Sequence, residues 1–210
     1  AKHPGRLISL AGIDPRRPQA PSMFRQCITD FGMKGLKWHP DNGYYPNSSE
    51  AYAVLKVAVE FGLPLLTHCS PLPHSRAKYA QPIHLDDVAV DFPELEIIAA
   101  HMGNGWWRDW AAIAQYKKTV SGDLAMWQFL PVNHPARFRS YLREITDLVG
   151  PDQVLFATDG PVFEGHVSNK AFVAAIKGLT TTGDESGIVF TQEEVDAILG
   201  GNAARIFKLQ

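Results

Sequence analysis

Residues 95–101, LEIIAAH, form a short apolar run that ends in a histidine. Five similar runs recur along the chain: RLISLAGID at 6–14, MKGLKWH at 33–39, LPLLTHC at 63–69, TVSGDLAM at 119–126 and QVLFATD at 153–159. Because these runs are nearly continuous in apolar residues and do not alternate with polar ones, both faces of each strand should be buried. The pattern predicts a parallel sheet covered by helices.

Helical patterns lie between the predicted strands. The clearest covers 48–61, where Ser48 and Ser49 offer N-cap oxygens and Gly62 follows as a typical residue after a helix end. Further helices are predicted at 82–92, 106–116, 135–149, 168–179 and 191–199. The last begins with a capping box of Thr191 and Glu194. Strands and helices therefore alternate, which is typical of an α/β fold.

The strand starts are separated by roughly 25 to 35 residues, the size of one βα unit in a (β/α)8 barrel. Six units are visible where a complete barrel has eight, so we considered an open doubly wound sheet as well. A G-x-G-x-x-G turn after the first strand would favour the open sheet, and AGIDPRRP is unlike one. We therefore predict a (β/α)8 TIM barrel, present as a single domain over 1–210 with about six of its units.

Composition limits the range of functions. The chain has 210 residues, 45% of them hydrophobic, and a formal net charge of -2, which gives no electrostatic case for nucleic acid or an anionic membrane. No stretch approaches the length of a membrane span. Two cysteines, Cys27 and Cys69, are too few for a disulfide framework and favour a cytoplasmic location. We expect a small-molecule substrate, and a homo-oligomer is possible.

Ionisable residues stand at the ends of several predicted strands. His68, His101 and Asp159 end the third, fourth and sixth, while Lys37 and His39 end the second. In parallel α/β folds the reactive side chains gather at these carboxyl ends. Imidazole and carboxylate are preferred ligands of borderline divalent metals, and a catalytic zinc site uses about three of them with a position left for water. The sequence therefore predicts one divalent metal, zinc by preference and manganese as an alternative, bound by His68, His101 and Asp159.

The sequence also resembles a known family. The stretches that carry the resemblance are GLKWHP, LTHCS, DDVAVDFPELEIIAAHMGNGW, GDLAMW, VLFATDGP and the terminal GNAARIF. In order and spacing they are similar to the amidohydrolase 2 branch of the amidohydrolase superfamily, which includes aminocarboxymuconate semialdehyde decarboxylase and resorcylate-type decarboxylases. The resemblance extends over essentially the whole chain.

This resemblance implies a distorted (β/α)8 barrel with a divalent metal. His68 would lie on the fifth barrel strand and bind the metal. His101, on the sixth, would be a ligand or a catalytic acid or base. Asp159, on the eighth, would bind the metal and handle the proton of its bound water. The family's H-x-H pair on the first strand is absent here, and AKHPGR resembles the stretch before the third strand, so the first two units are expected to be missing.

Other residues were assigned by position. Lys37, Trp106 and Arg108 are candidate substrate contacts, Arg108 because a guanidinium can grip a carboxylate with two hydrogen bonds. Asp123 is expected to hold a neighbouring site residue by a hydrogen bond. Cys69 should point away from the site because side chains alternate along a strand.

Three functions remain open from the sequence. The first is a metal-dependent hydrolase that acts on a small carboxylic, cyclic or aromatic substrate through metal-activated water, with Asp159 and His101 as catalytic residues. The second is a non-oxidative decarboxylase with the same metal. The third is a non-catalytic binding protein, which applies if the chain naturally lacks the H-x-H pair.

Overall fold

The sheet follows the order of the chain. The computed structural model describes residues 6–182 and 184–209. Six parallel strands are hydrogen-bonded in sequence: β1 Ala11–Gly12, β2 Leu36–Trp38, β3 Leu65–His68, β4 Ile97–Ala100, β5 Val120–Asp123 and β6 Val154–Leu155. Each strand lies inside one of the six predicted runs but is shorter. The prediction of a parallel α/β sheet is confirmed.

Nine α-helices lie in the part of the chain that the structure describes. They are α1 Ala20–Thr29, α2 Ser49–Glu60, α3 His84–Asp91, α4 Trp107–Ala114, α5 Phe129–Asn133, α6 Pro135–Val149, α7 Asn169–Lys177, α8 Gln192–Asp196 and α9 Asn202–Ile206. A π-helical turn, Ala197–Gly201, joins the last two. All six predicted helical segments are confirmed, whereas α1, α5 and α9 were not predicted.

Local sequence explains most of these boundaries. The Ser48 hydroxyl accepts a hydrogen bond from the backbone N–H of Ala51, and Thr191 forms the predicted capping box with Glu194. Helix α1 was overlooked because prolines interrupt its approach. One of them, Pro21, occupies the first turn, where the missing N–H costs nothing. Phe24 then anchors α1 in the core with its side chain fully buried.

Strand register places the polar residues on one face. Lys37 of β2 is paired with Leu66 of β3, two residues before His68. Nearer the carboxyl end of the sheet, His68 is paired with Ala100 and Asp123 with Leu155. Since side chains alternate along a strand, these residues share the inner face of the curved sheet. The opposite face packs against the helices in one large apolar cluster, to which the buried Cys69 belongs as predicted.

The C-terminal segment covers the lower part of this inner face. Ile206 of α9 packs with Ile98 and Leu155 in a separate apolar cluster. Asn202 donates hydrogen bonds to the backbone carbonyls of Pro151 and Val154, which ties α9 to the start of β6. The terminal GNAARIF motif therefore closes the end of the sheet opposite the predicted site.

One sequence expectation falls on residues outside the description: the AKHPGR stretch at 1–6 lies outside the described residues except for Arg6. Farther along the chain, residues 181–182 and 184–187 contain no helix or strand. The buried guanidinium of Arg139 holds this region by donating to the carbonyls of Gly178, Leu179 and Ile188. Within 6–182 and 184–209, no helix is both long and apolar enough to cross a membrane.

Candidate active site

Two buried histidines face each other at the carboxyl ends of β3 and β4. The Nδ1 atom of His68 lies 3.2 Å from the Nε2 atom of His101. The other ring nitrogen of His68 is 2.9 Å from the carbonyl oxygen of Ser70, and that of His101 is 3.3 Å from the carbonyl oxygen of Ala125. A carbonyl oxygen can only accept, so each outer nitrogen carries the proton of the neutral ring. The two facing nitrogens therefore both present lone pairs.

This arrangement suits a shared cation. Two lone pairs at 3.2 Å repel each other unless a positive charge lies between or beside them. Two nitrogen ligands at about 2.0 to 2.1 Å from one tetrahedral ion lie roughly 3.3 Å from each other, so the observed spacing fits metal ligation. The hydrogen bonds from the outer nitrogens to carbonyls are the usual means of orienting metal-bound histidines. His68 and His101 thus fit the predicted metal.

The electrostatic setting keeps both rings neutral. Burial lowers the pKa of His101 to about 4, an effect that the negative charge of Asp159 opposes. Burial and the neighbouring His101 lower the pKa of His68 to about 4 as well. Because the neutral rings predominate at neutral pH, both nitrogens are available to a cation without prior loss of a proton.

His101 is held in an unusual backbone conformation. Its φ is 68°, in the left-handed region that non-glycine residues seldom adopt, and Met102 and Asn104 have positive φ as well. The Asp123 carboxylate accepts the N–H of His101 at 2.8 Å, and the indole N–H of Trp127 donates to its carbonyl oxygen at 2.9 Å. These bonds hold the strained turn after β4, so Asp123 has the supporting contact that the sequence predicted.

The structure places Asp159 differently from our sequence argument. We expected it to end a buried strand, but β6 stops at Leu155 and Asp159 lies four residues later, exposed and with a φ of 50°. Among the described residues, no three His, Cys, Asp or Glu side chains are close enough together to hold a metal ion. The histidine pair is therefore brought together, while the Asp159 carboxylate is not at ligand distance. Burial lowers the pKa values of His101, His39 and Lys37, and the charge of Asp159 opposes that lowering in all three.

Lys37 lies on the inner face beside the histidines. Burial lowers the pKa of its ammonium group, and the negative charges of Asp123, Asp159 and Asp41 oppose that shift. Lys37 lines an open cleft of about 220 Å³ together with Gly12, Ile13, Asp14, His39, Asn42 and Tyr44. Its position suits the substrate contact predicted for it.

His39 also lies in the site, although no ligand or substrate role was expected for it from the sequence. Its ring stacks on His68 with a centroid distance of 5.0 Å and an interplanar angle of 12°. Its Nδ1 atom lies 3.3 Å from a carboxylate oxygen of the buried Asp41. Strand alternation puts position 39 on the same face as Lys37, and that signal could have identified it.

Trp106 and Arg108 follow His101 in the chain, and among the described residues neither side chain forms a hydrogen bond or ring contact with the histidine pair. Arg108 is exposed, forms an ion pair with Glu144 at 3.0 Å and lies over the ring of Trp107. It lines a second cleft of about 430 Å³ with Met126 and Tyr141. Trp106 is half-buried at the end of the turn after β4. Arg108 is thus paired with Glu144 and not with a residue of the histidine site, and the substrate contact expected of Arg108 stays a prediction.

The family model described as amidohydrolase matches residues 1–209. The chain belongs to the amidohydrolase family. The prediction of an enzyme of the amidohydrolase family is therefore confirmed. No curated protein sequence matches the chain.

Solved structures confirm the barrel-type fold of this amidohydrolase. An uncharacterized TIM-barrel protein from Bordetella bronchiseptica superposes with a TM-score of 0.77 at 19% identity, covering 99% of this chain and 69% of its own. A 5-carboxyvanillate decarboxylase from Novosphingobium aromaticivorans, complexed with manganese and 4-hydroxy-3-methoxy-5-nitrobenzoic acid, gives 0.71 at 18% identity over 99% and 66%. A dihydroxybenzoic acid decarboxylase from Polaromonas, with manganese and 2-nitroresorcinol bound, gives 0.69 at 18% over 99% and 71%.

Proposed function

We propose that this amidohydrolase is a metal-dependent decarboxylase of a small aromatic acid. The observation that carries the proposal is the pair of facing ring nitrogens of His68 and His101, 3.2 Å apart, which would supply two ligands to a divalent metal. Both reported neighbours with a named activity are decarboxylases of aromatic acids, which favours decarboxylation over the hydrolysis first expected from the sequence. Hydrolysis uses the same residues and stays a prediction.

The ion is proposed to be manganese, with zinc as the alternative expected from the sequence. Manganese is bound in both of those neighbours. His68 and His101 would hold it. When bound, it would supply a positive charge that orients the substrate carboxylate and stabilises developing negative charge.

The chain's own residues would handle the ring and the proton. Lys37 would hold a second anionic oxygen of the substrate from the floor of the 220 Å³ cleft. The carboxyl group of Asp159 would give its proton to the ring carbon that bears the carboxylate. The carbon–carbon bond then breaks, its electron pair restores the aromatic ring, and carbon dioxide leaves. Asp159, which is exposed, recovers a proton from solvent.

Substrate and location are part of the same proposal. We take a small aromatic carboxylate as the partner. A cytoplasmic location rests on the two unpaired cysteines, Cys27 and Cys69. A homo-oligomeric state is left as a possibility with no contact to support it.

A product assay tests this proposal. The protein is loaded with Mn²⁺ or Zn²⁺ and incubated separately with 2,6-dihydroxybenzoate, 5-carboxyvanillate, a lactone and an amide, while carbon dioxide and ring products are followed. We expect metal-dependent release of carbon dioxide from a hydroxybenzoate and no hydrolysis. Turnover of the lactone or amide without carbon dioxide release would favour the hydrolase instead.

A further inference from the structure

One buried segment contacts both His101 and the loop that carries Asp159, and supplies no proposed metal ligand itself. It runs from Asp123 to Gln128 and joins β5 to α5. Five of its six residues are buried, Met126 being the half-buried one. Hydrogen bonds leave this segment in two directions, toward His101 and toward the loop that carries Asp159.

Three groups of the segment hold His101. Asp123 accepts the backbone N–H of His101, the Ala125 carbonyl lies 3.3 Å from the ring Nδ1, and the Trp127 indole donates to the His101 carbonyl. The same Asp123 oxygen accepts the N–H of Ala125, which fixes the carboxylate itself. Backbone and ring of His101 are therefore both held by one stretch of chain.

Gln128 holds the loop that carries Asp159. Its side-chain amide nitrogen donates to the carbonyl oxygen of Thr158 at 2.9 Å, next to Asp159. Gln128 is 2% exposed, and its amide oxygen finds no hydrogen-bond partner among the residues that the structure describes. If the amide of Gln128 were rotated by about 180°, its oxygen would face the carbonyl oxygen of Thr158, and two acceptors cannot form a hydrogen bond. The orientation with the amide nitrogen toward Thr158 is therefore the one that forms the bond. The side chain thus leaves one polar atom unsatisfied and keeps its bond to the Thr158 carbonyl.

Backbone conformation shows why such support is needed. His101, Met126 and Asp159 all have φ between 50° and 68° and none is glycine. Conformations of this kind persist only where surrounding contacts enforce them, and they concentrate at functional sites. Asp159 has an exposed side chain, so the backbone is where its position can be fixed.

We propose that the segment Asp123–Gln128 is a positioning unit that fixes His101 and Asp159 relative to each other, with Gln128 as the positioning residue for Asp159. This rests on the proposed function, in which both residues act on one substrate. Gln128 would touch neither substrate nor metal. It would act through the Thr158–Asp159 peptide.

The test compares two buried glutamines. Gln128→Met keeps length and removes the donor to Thr158. Gln153→Met is the matched control, since Gln153 is fully buried and its amide donates to the carbonyls of Ala114, Lys117 and Val120, away from the site. Melting temperature, kcat and KM for carbon dioxide release from 2,6-dihydroxybenzoate are measured with Mn²⁺ present.

We expect Gln128→Met to lower kcat at least ~10-fold with KM within about 2-fold, because small displacements of a reacting group cost rate rather than binding. Gln153→Met should lower the melting temperature and leave kcat intact in the folded protein. An unchanged kcat in Gln128→Met, or an equal loss in both variants, would overturn the positioning unit.

Hydrogen exchange separates failure of the unit from failure of the proposed function. If the wild-type protein releases no carbon dioxide, the proposed function fails, and backbone amide exchange over 156–163 decides the unit. Faster exchange there in Gln128→Met but not in Gln153→Met would support it. Equal exchange in the two variants would overturn it.

Discussion

The Nδ1 atom of His68 and the Nε2 atom of His101 lie 3.2 Å apart with no proton between them, because the outer nitrogen of each neutral ring carries the proton and donates it in a hydrogen bond to a backbone carbonyl. Two neighbouring parallel strands bring these residues together across 33 positions of sequence. Neighbouring strands place the two residues side by side, and the segments after β3 and β5, which supply the carbonyls of Ser70 and Ala125, set their tautomers.

Asp159→Asn should remove activity and leave the fold intact. The side chain is exposed, so the substitution costs little stability, while the amide can no longer deliver a proton. We expect kcat to fall at least ~100-fold, the lower end of what a positioned acid or base contributes. Steady-state kinetics and a melting curve check this. The exposed Asp109, changed to Asn in the same way, is the control and should retain full activity.

Asp123→Asn should change how stability depends on pH. Burial raises the pKa of the Asp123 carboxyl to about 6 from an ordinary value of 3.8. Between these values the folded protein keeps a proton that the unfolded chain has released, so the contribution of Asp123 to stability is lost as the pH rises through about 6. Asn keeps an oxygen for the N–H groups of His101 and Ala125 and never ionises.

At pH 8 the free energy of unfolding of the variant should therefore exceed that of the wild type by about 1 to 3 kcal/mol, and at pH 4 by much less. Denaturant unfolding at the two pH values measures the difference. A gain of the same size at both would mean that the carboxyl group titrates normally.

Gly122→Ala should strain the turn that carries His101. A Cβ at position 122 would lie 2.5 Å from Cγ of Met102 and 2.8 Å from two ring atoms of Trp110. Overpacking of this kind costs about 1 to 3 kcal/mol, and the shift of Met102 would reach the adjacent His101. We expect lower stability together with weaker Mn²⁺ binding. Gly105→Ala is the control, because a Cβ there meets no atom within 4 Å.

Periodicity predicted the six strands and most helices, because buried parallel strands leave continuous apolar runs. The family was predicted separately, from the resemblance of its motifs. They could not predict α1, since the prolines ahead of it hide its pattern, although Phe24 is fully buried. The predicted run at 153–159 also placed the end of β6 too late, since the strand ends at Leu155. Apolar residues continue beyond Leu155 in a loop, so the expectation of a buried Asp159 was wrong.

For the site, strand-end position correctly brought His68 and His101 together. His39 was given no role although it ends the second predicted strand; alternation from Lys37 places it on the same face, where its ring stacks on His68. Gln128 carries no sequence signal of this kind. Its contact with Thr158 spans 30 positions and depends on how two loops meet.

Substitution of Lys37 should raise KM much more than substitution of Arg108. Lys37→Met removes the one cation on the inner face of the described strands, so we expect KM for a hydroxybenzoate to rise at least ~10-fold. Arg108→Met breaks the exposed ion pair with Glu144 and should leave KM within about 2-fold. Steady-state kinetics on both variants decides the matter. An effect of Arg108→Met larger than that of Lys37→Met would return the carboxylate contact to Arg108.

Calorimetric titration of Mn²⁺ into the wild type and into His68→Ala, with carbon dioxide release from 2,6-dihydroxybenzoate measured on the same samples, tests the central claim most directly. We expect the wild type to bind one ion and to release carbon dioxide only with that ion present, and His68→Ala to lose both properties while its melting temperature stays within a few degrees. A wild-type chain that binds no ion and releases no carbon dioxide, or a His68→Ala variant that does both like wild type, would contradict it.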